Sequence, residues 1–341
     1  MSARHGLLAG GNWIVDHVKQ IDTWPAQDAL ANILAQTDGN GGSAYNVLKN
    51  LARLGAGFPL GGVGLVGDDP DGRAILADCV AHGIDISQLR VTPAAATSYT
   101  DVMTVRGSGR RTFFHQRGAN ALLGPEHFNF NATRAKIFHL GYLLLLDALD
   151  ACGVDGLPRA AEVLRRARAA GLVTAVDCVS EASDRFGSIV LPVLPEVDIL
   201  FANDMEAEKL TGIALRPQGN LTQLTVEEAA RGLLQSGVRK WVIVHFPEGV
   251  CAAGRSGDIL WQPSINISPS EIIGAAGAGD ALVAGVLHGW HDDWSMANSL
   301  RLGVCVAAAS LRDPTCSGGV ENMAACLRLG SRGFRELPLR E

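Results

Sequence analysis

No glycine in this 341-residue chain is followed by Lys and then Ser or Thr, so it has no Walker A phosphate loop. Its seven cysteines (Cys79, Cys152, Cys178, Cys251, Cys305, Cys316 and Cys326) are scattered and odd in number, and none forms a C-x-x-C pair. That excludes a disulfide framework and a cysteine zinc site as organising devices. A basic run is missing too: 29 Lys and Arg face 35 Asp and Glu, for a net charge of −6. Neither nucleic acid nor an anionic membrane is an expected partner. No uninterrupted apolar stretch approaches membrane-spanning length, the richest being the short 143–146. The opening Met1-Ser2-Ala3-Arg4-His5 runs into Leu7-Leu8-Ala9-Gly10-Gly11 without the apolar core of a signal peptide. A soluble, reduced, cytoplasmic protein is the expectation. There is no internal repeat, low-complexity tract or long linker.

What is present is a chain 47% hydrophobic, with 40 glycines that follow no strict period. Disorder and fibrous structure are excluded, and the length suffices for a large core without staples. Short apolar runs at 58–66, 136–140, 172–177, 197–201 and 240–245 read as strands. Helical-period segments at 43–54, 71–82, 157–170, 206–210 and 226–235 alternate with them. Gly55, Gly83, Gly171, Gly212 and Gly237 stand where helix C-caps are needed. Strands alternating with helices predict a doubly wound α/β fold around a mostly parallel sheet.

Two stretches break the rhythm. The first, 14–25, continues an N-terminal strand past Asp16 with some polar alternation. The second, 98–115, reads as a hairpin about Gly107-Ser108-Gly109. A hairpin alone cannot bury a core, so a small β appendage built from these separated insertions is expected. It is a candidate substrate lid, and also a candidate dimer surface because its edges need covering.

Gly62-Val63-Gly64-Leu65-Val66-Gly67 satisfies G-x-G-x-x-G, with Asp85 at a dinucleotide-like distance. The context argues against it: the glycines sit inside the apolar run, and 83–86 is short for a second strand. A glycine-containing buried strand is the preferred reading. A better phosphate site is Ile272-Ile273-Gly274-Ala275-Ala276-Gly277-Ala278-Gly279-Asp280, an apolar approach and glycine turn opening a helix. Free N–H groups and the helix dipole there favour an anion. Asp280 at its edge either receives a hydroxyl proton or caps the helix. Gly41-Gly42-Ser43-Ala44-Tyr45-Asn46 opens another helix, with Asn46, Asn50 and Arg53 on one face. Asn46 can hydrogen-bond a polyhydroxyl ligand, although an exposed polar face is the favoured reading of the spacing taken by itself.

Together these segments resemble the two signature regions of the PfkB (ribokinase-like) carbohydrate kinases. Gly10-Gly11-Asn12-Trp13-Ile14-Val15-Asp16 looks like that family's first strand and sugar-contacting aspartate. Gly64-Leu65-Val66-Gly67-Asp68-Asp69-Pro70-Asp71-Gly72 is similar to its strand-to-helix junction. Asn203-Asp204-Met205-Glu206 resembles its N-x-x-E element, and Gly277-Ala278-Gly279-Asp280 its anion hole and catalytic aspartate.

The resemblance implies one three-layer α/β kinase domain over residues 1–341, with lid segments near 14–25 and 95–117. ATP would phosphorylate a hydroxyl of a sugar or sugar derivative. Gly277, Ala278 and Gly279 would hold the transferring group, with Asp280 as base. Asp16, Gly41, Gly42 and Asn46 would orient the sugar. Arg117 and Asn120 would meet an acidic or phosphorylated one, a neutral sugar being the expected acceptor. Asn203, Gly249, Gly277 and Gly279 would face ATP. Asn203 and Glu206 would act on Mg²⁺ through water, while a capping box explains the same pair. A homodimer through the lid follows from the family.

Two departures stand out. Gly274-Ala275 replaces the usual Asp-Thr, which removes a carboxylate associated with a monovalent-cation site. Val244-His245-Phe246-Pro247-Glu248-Gly249 is an altered, shortened nucleotide loop. Two alternatives remain open: a nucleoside kinase, with Tyr99, Phe113 and Phe114 walling a base, and a non-catalytic sugar or nucleotide sensor.

Overall fold

The computed structural model, which describes residues 4–107 and 110–337, turns the apolar runs into strands. In chain order these are β1 (Leu7–Gly11), β2 (Ile14–Ile21), β3 (Ile33–Gly41), β4 (Leu60–Gly67), β5 (Ile84–Thr92), β6 (Ser98–Val105) and β7 (Arg111–Gln116). They continue as β8 (Ile137–Leu143), β9 (Val173–Cys178), β10 (Ile199–Asn203), β11 (Trp241–Phe246), β12 (Gly249–Gly254) and β13 (Ile259–Pro263). The longer helices are α1 (Ser43–Leu54), α2 (Pro70–Ala81), α3 (Arg159–Ala169), α4 (Asp204–Thr211), α5 (Gln223–Gln235), α6 (Ala278–His291) and α7 (Met296–Ser310). The expected strands and helices all appear, with ends displaced by a few residues. Gly55 and Gly212 close α1 and α4 in the left-handed conformation that a side chain would disfavour.

Nine strands form one sheet in the order β13-β12-β11-β10-β9-β8-β1-β4-β5. Pairing is parallel from β5 to β11 and antiparallel at β12 and β13. Successive side chains feed opposite cores. Leu8, Val63 and Phe138 pack with apolar residues of α3, α4 and α5, whereas Leu7, Val66 and Ile137 pack with those of α1, α2, α6 and α7. Each fully buried Leu, Ile or Val contributes about 1.5–3 kcal/mol, so burial on both faces holds this three-layer sandwich together.

Two expectations need correction. β5 is a nine-residue strand; its alternating exposure at the sheet edge hid it from a search for apolar runs. The dinucleotide reading still fails, because Asp85 sits at the start of β5. A Cβ at Gly62 or Gly64 would come within 2.5 or 2.3 Å of the Trp13 ring, so these glycines make room for an indole. The N-terminal strand is not continuous either: β1 ends at Gly11 and the chain turns through Asn12-Trp13 into a different sheet. The apolar approach to the 274–277 turn lies at the surface, with Ile272 and Ile273 38% and 61% exposed.

The second sheet has four strands in the order β3-β2-β6-β7. Both anticipated segments contribute, but β3 was not anticipated. Its stretch Ile33-Leu34-Ala35-Gln36-Thr37-Asp38 is exposed and reads as loop. Of the expected hairpin turn, Ser108 and Gly109 lie outside the described residues.

Candidate active site

From β1 the chain builds β4 and β5 on one side and β8 to β13 on the other. Such a reversal leaves a crevice beyond the carboxyl ends of the strands. A cavity of about 460 Å³ opens there. Strand ends supply Tyr142 from β8, Asp177 and Cys178 from β9, Asn203 from β10 and His245 from β11. Residues 275–280 lead into α6 along one wall, and Gly42 and Asn46 approach from α1. The four-stranded sheet covers the space with Ile14, Asp16, Thr100, Arg111, Phe113 and His115.

Asp280 is in the first turn of α6, behind the N-cap Gly277, and no side chain caps this helix. The capping alternative therefore falls. Oδ2 of Asp280 instead accepts hydrogen bonds from Asn46 Nδ2 at 2.7 Å and from the Tyr142 hydroxyl at 2.6 Å. Its other oxygen, Oδ1, is buried without a partner. Burial pushes the carboxyl pKa up, and side-chain hydrogen bonding from Asn46, Tyr142 and Ser43 opposes that shift. Gly277 has φ 72° and a Cβ there would meet that of Cys316 at 2.5 Å, so both backbone and space demand glycine. The first-turn N–H groups have no helical acceptor behind them, which makes this end electropositive.

The polar face of α1 is buried rather than exposed. Asn46 and Asn50 are 2% and 0% exposed, and Arg53 donates to the carbonyls of Val320 and Gly318. Asn46 ends a chain in which Ser317 donates to Asn40, Asn40 to Asn46 and Asn46 to Asp280. Asp16 lies across the cavity in the small sheet. Burial raises its pKa to about 7, while Cys316 and Thr100 donate to it. Gly41 backs this carboxylate; a Cβ there would approach it to 2.3 Å.

Asn203 and Glu206 form the capping box of α4: Asn203 Oδ1 accepts from Glu206 N, and Glu206 Oε2 from Asn203 N, both at 2.9 Å. Glu206 Oε1 also accepts from Ser180 at 2.7 Å. Burial raises Glu206 to about 7. Buried Asp177 is raised for the same reason and by repulsion from Glu206 and Asp280.

Other expected site residues do different work. Arg117 pairs with Asp147 at 2.5 Å and with Glu181 at 3.5 Å and does not line the cavity. Asn120 clamps the backbone of Trp13, accepting from its N–H at 3.2 Å and donating to its carbonyl at 3.1 Å. Gly249 is the buried first residue of β12, after the Pro247-Glu248 turn, and stands outside the cavity lining. Glu248 in that turn is bound by Arg216 at 3.0 and 2.7 Å. A Cβ at Gly274 would lie 2.6 Å from the Asp313 carbonyl oxygen, so a carboxylate there has no space in this backbone. Sequence reasoning missed Tyr142, Asp177, Arg111 and His115, and met His245 only as part of the altered nucleotide loop. Asp177 had a signal, being a carboxylate at the end of an expected strand; the others had none.

Comparison with known proteins bears on the family and the fold. The pattern of the pfkB family carbohydrate kinases matches residues 12–323. The ATP-dependent ribose-1-phosphate kinase of Halopiger xanaduensis is 28% identical over 297 residues, covering 86% of this chain and 88% of that protein. The pseudouridine kinase of Escherichia coli is 28% identical over 270 residues, 76% of each chain. Arabidopsis thaliana ribokinase, solved with ribose and ATP, shares the fold with a TM-score of 0.77 at 20% identity. That match covers 96% of this chain and 99% of the other.

Proposed function

We propose, from the premise that this chain belongs to the pfkB family of carbohydrate kinases, that ATP phosphorylates a sugar hydroxyl in the cavity between the two sheets. The acceptor is a sugar or sugar derivative. The observation that carries the assignment of the base is Asp280 Oδ1: buried, without a partner, and beside a helix N-terminus. The hydroxyl oxygen attacks the terminal phosphorus, the bond to the ADP oxygen breaks, and the hydroxyl proton passes to Asp280. Backbone N–H groups at Gly277, Ala278 and Gly279 face the charge that spreads over the transferring group. Asn46 and Tyr142 hold Asp280 in place and favour its ionised form. Asp16 and Gly42 orient the sugar, and the small sheet closes over it as a lid, making one working unit of the chain.

Mg²⁺ fits this donor set. The described residues contain no group of three or more His, Cys, Asp or Glu side chains able to cage a metal alone. That suits an ion which keeps waters and leans on substrate phosphates. Asp177 and Glu206 are the residues that would hold it through water, and their mutual repulsion would be relieved. When bound, the ion neutralises phosphate charge.

Phe113 in the cavity favours one second reading, a nucleoside whose base stacks on that ring. Trp24 and Phe114 stack at 6.2 Å on the small sheet and are about half exposed, which supports a homodimer through the lid. No described helix is long and apolar enough to cross a membrane, and no described cysteine is paired. The reading places the protein in the cytoplasm, with ATP and reduced thiols.

The test is ADP release with Mg²⁺ over pentoses, hexoses, keto-deoxy acids and nucleosides, with product masses. A phosphorylated sugar is expected; binding without transfer from any acceptor would overturn the reading.

A further inference from the structure

Arg111, Phe113 and His115 alternate along β7 and so share the face that looks into the cavity. Asp16, Thr100 and His115 form one row across β2, β6 and β7. Thr100 Oγ1 and His115 Nδ1 are 3.0 Å apart, so this row ends in the His115 ring, whose Nε2 is buried and unpartnered. Burial holds His115 down at about 4, so the ring is neutral.

The guanidinium of Arg111 lies 5.8 Å from the centre of the Phe113 ring, and its Nη1 is buried with no partner. Burial pulls its pKa below the usual arginine value, the mark of a cation short of a counter-ion. It nonetheless stays charged, as arginine does. Arg117, further along the same segment, shows the ordinary alternative, since it is held by two carboxylates. A guanidinium nitrogen buried without an acceptor is costly, and the cavity is where an acceptor can enter. The other carboxyl and imidazole groups lining that cavity are Asp16, Asp177, Glu206 and Asp280, whose charged forms burial disfavours, and His115 and His245, which burial keeps neutral, so among the described lining residues Arg111 is the cation.

We propose that Arg111 binds an anionic group, phosphate or carboxylate, on the acceptor sugar, so that the substrates are anionic sugars rather than neutral ones. The inference rests on the kinase reading and narrows its substrate class. Planar guanidinium matches either group through two parallel hydrogen bonds. Attraction to Arg111 orients the sugar, with its anion toward β7 and a hydroxyl toward Asp280. The neutral acceptor expected from sequence is replaced, and the role given to Arg117 passes to Arg111.

The test compares matched acceptors: ribose and fructose, their monophosphates, and a keto-deoxy sugar acid. Two readouts are needed: kcat/KM with ATP and Mg²⁺, and the rise in Tm on adding each acceptor without ATP. The native protein should prefer an anionic acceptor by at least ~30-fold, and Arg111→Gln should erase that preference chiefly through KM. Arg111→Lys should restore part of it. The phosphate and carboxylate arms tell which anion is read. Preference for neutral sugars, or a preference that survives Arg111→Gln in a folded variant, would overturn the proposal. If no acceptor is turned over, the kinase reading fails by itself. An Arg111-dependent Tm rise with anionic sugars alone would then still support the inference, and its absence would end it.

Discussion

Two sheets meet at one cavity, and they are built by opposite rules. Every residue of β1 in the nine-stranded sheet is buried, and the strands around it feed cores on both faces. In the four-stranded sheet β3 is exposed from Ile33 to Asp38. Asp280 and its partners Asn46 and Tyr142 stand on the first architecture; Asp16, Arg111 and His115 stand on the second. Chemistry needs groups fixed before the substrate arrives, which dense packing supplies. Selection of a substrate can sit on a thinner layer, whose weaker packing also lets it open.

The largest expected effect breaks the core side of this contrast. Asp280→Asn keeps the shape and removes the proton acceptor, so kcat should fall at least ~10²-fold while ATP and sugar bind nearly as before. Steady-state rates and calorimetric binding check this; retained turnover would move the base elsewhere.

Asp16→Asn probes the lid side through stability. Burial holds the Asp16 carboxyl at about 7, so between pH ~4 and ~7 the folded state keeps a proton that the unfolded chain has lost. Its stabilising contribution is full at low pH and disappears as pH rises through 7. Asparagine has no such loss, so the variant should gain on the native protein by about 1–3 kcal/mol over that window and level off above it. Urea unfolding at several pH values reads this, and parallel curves would refute it.

Tyr142→Phe removes one bond that lowers the Asp280 pKa. The acid limb of the kcat profile should then move to higher pH, with kcat at neutral pH reduced ~3–10-fold. An unmoved limb would show that Tyr142 only fills space. The smallest effect is expected from Phe114→Ser on the small sheet. Unfolding free energy should change by less than about 0.5 kcal/mol, while sedimentation at micromolar concentration shifts from dimer to monomer. An unchanged sedimentation coefficient would remove the lid as an interface.

The same contrast governs what was legible. The glycine turn before Asp280 was readable because fixed backbone geometry demands particular residues at particular spacings, whereas the Asn203–Glu206 pair was readable through its resemblance to the family's N-x-x-E element. Asn46 was found, but its burial was not, since helical spacing cannot tell a solvated face from one packed on a second helix. β3 was invisible because neither of its faces needs apolar residues along most of its length. Arg111 and Arg117 are two arginines of one segment; strand alternation sends Arg111 into the cavity, while Asp147 and Glu181, 30 and 64 residues downstream, hold Arg117.

The sequence by itself determined the α/β class, the parallel sheet and the residue types of the anion site, because local periodicity and backbone demands are written in neighbouring residues. Only the tertiary structure decided which polar side chains share a cavity. Asp280 meets Tyr142 across 138 residues and Asn46 across 234, and Asp16 faces them from another sheet. Contacts of that separation depend on strand order and crossover, so the partners of a charge, and with them its pKa and its use, are set by the fold.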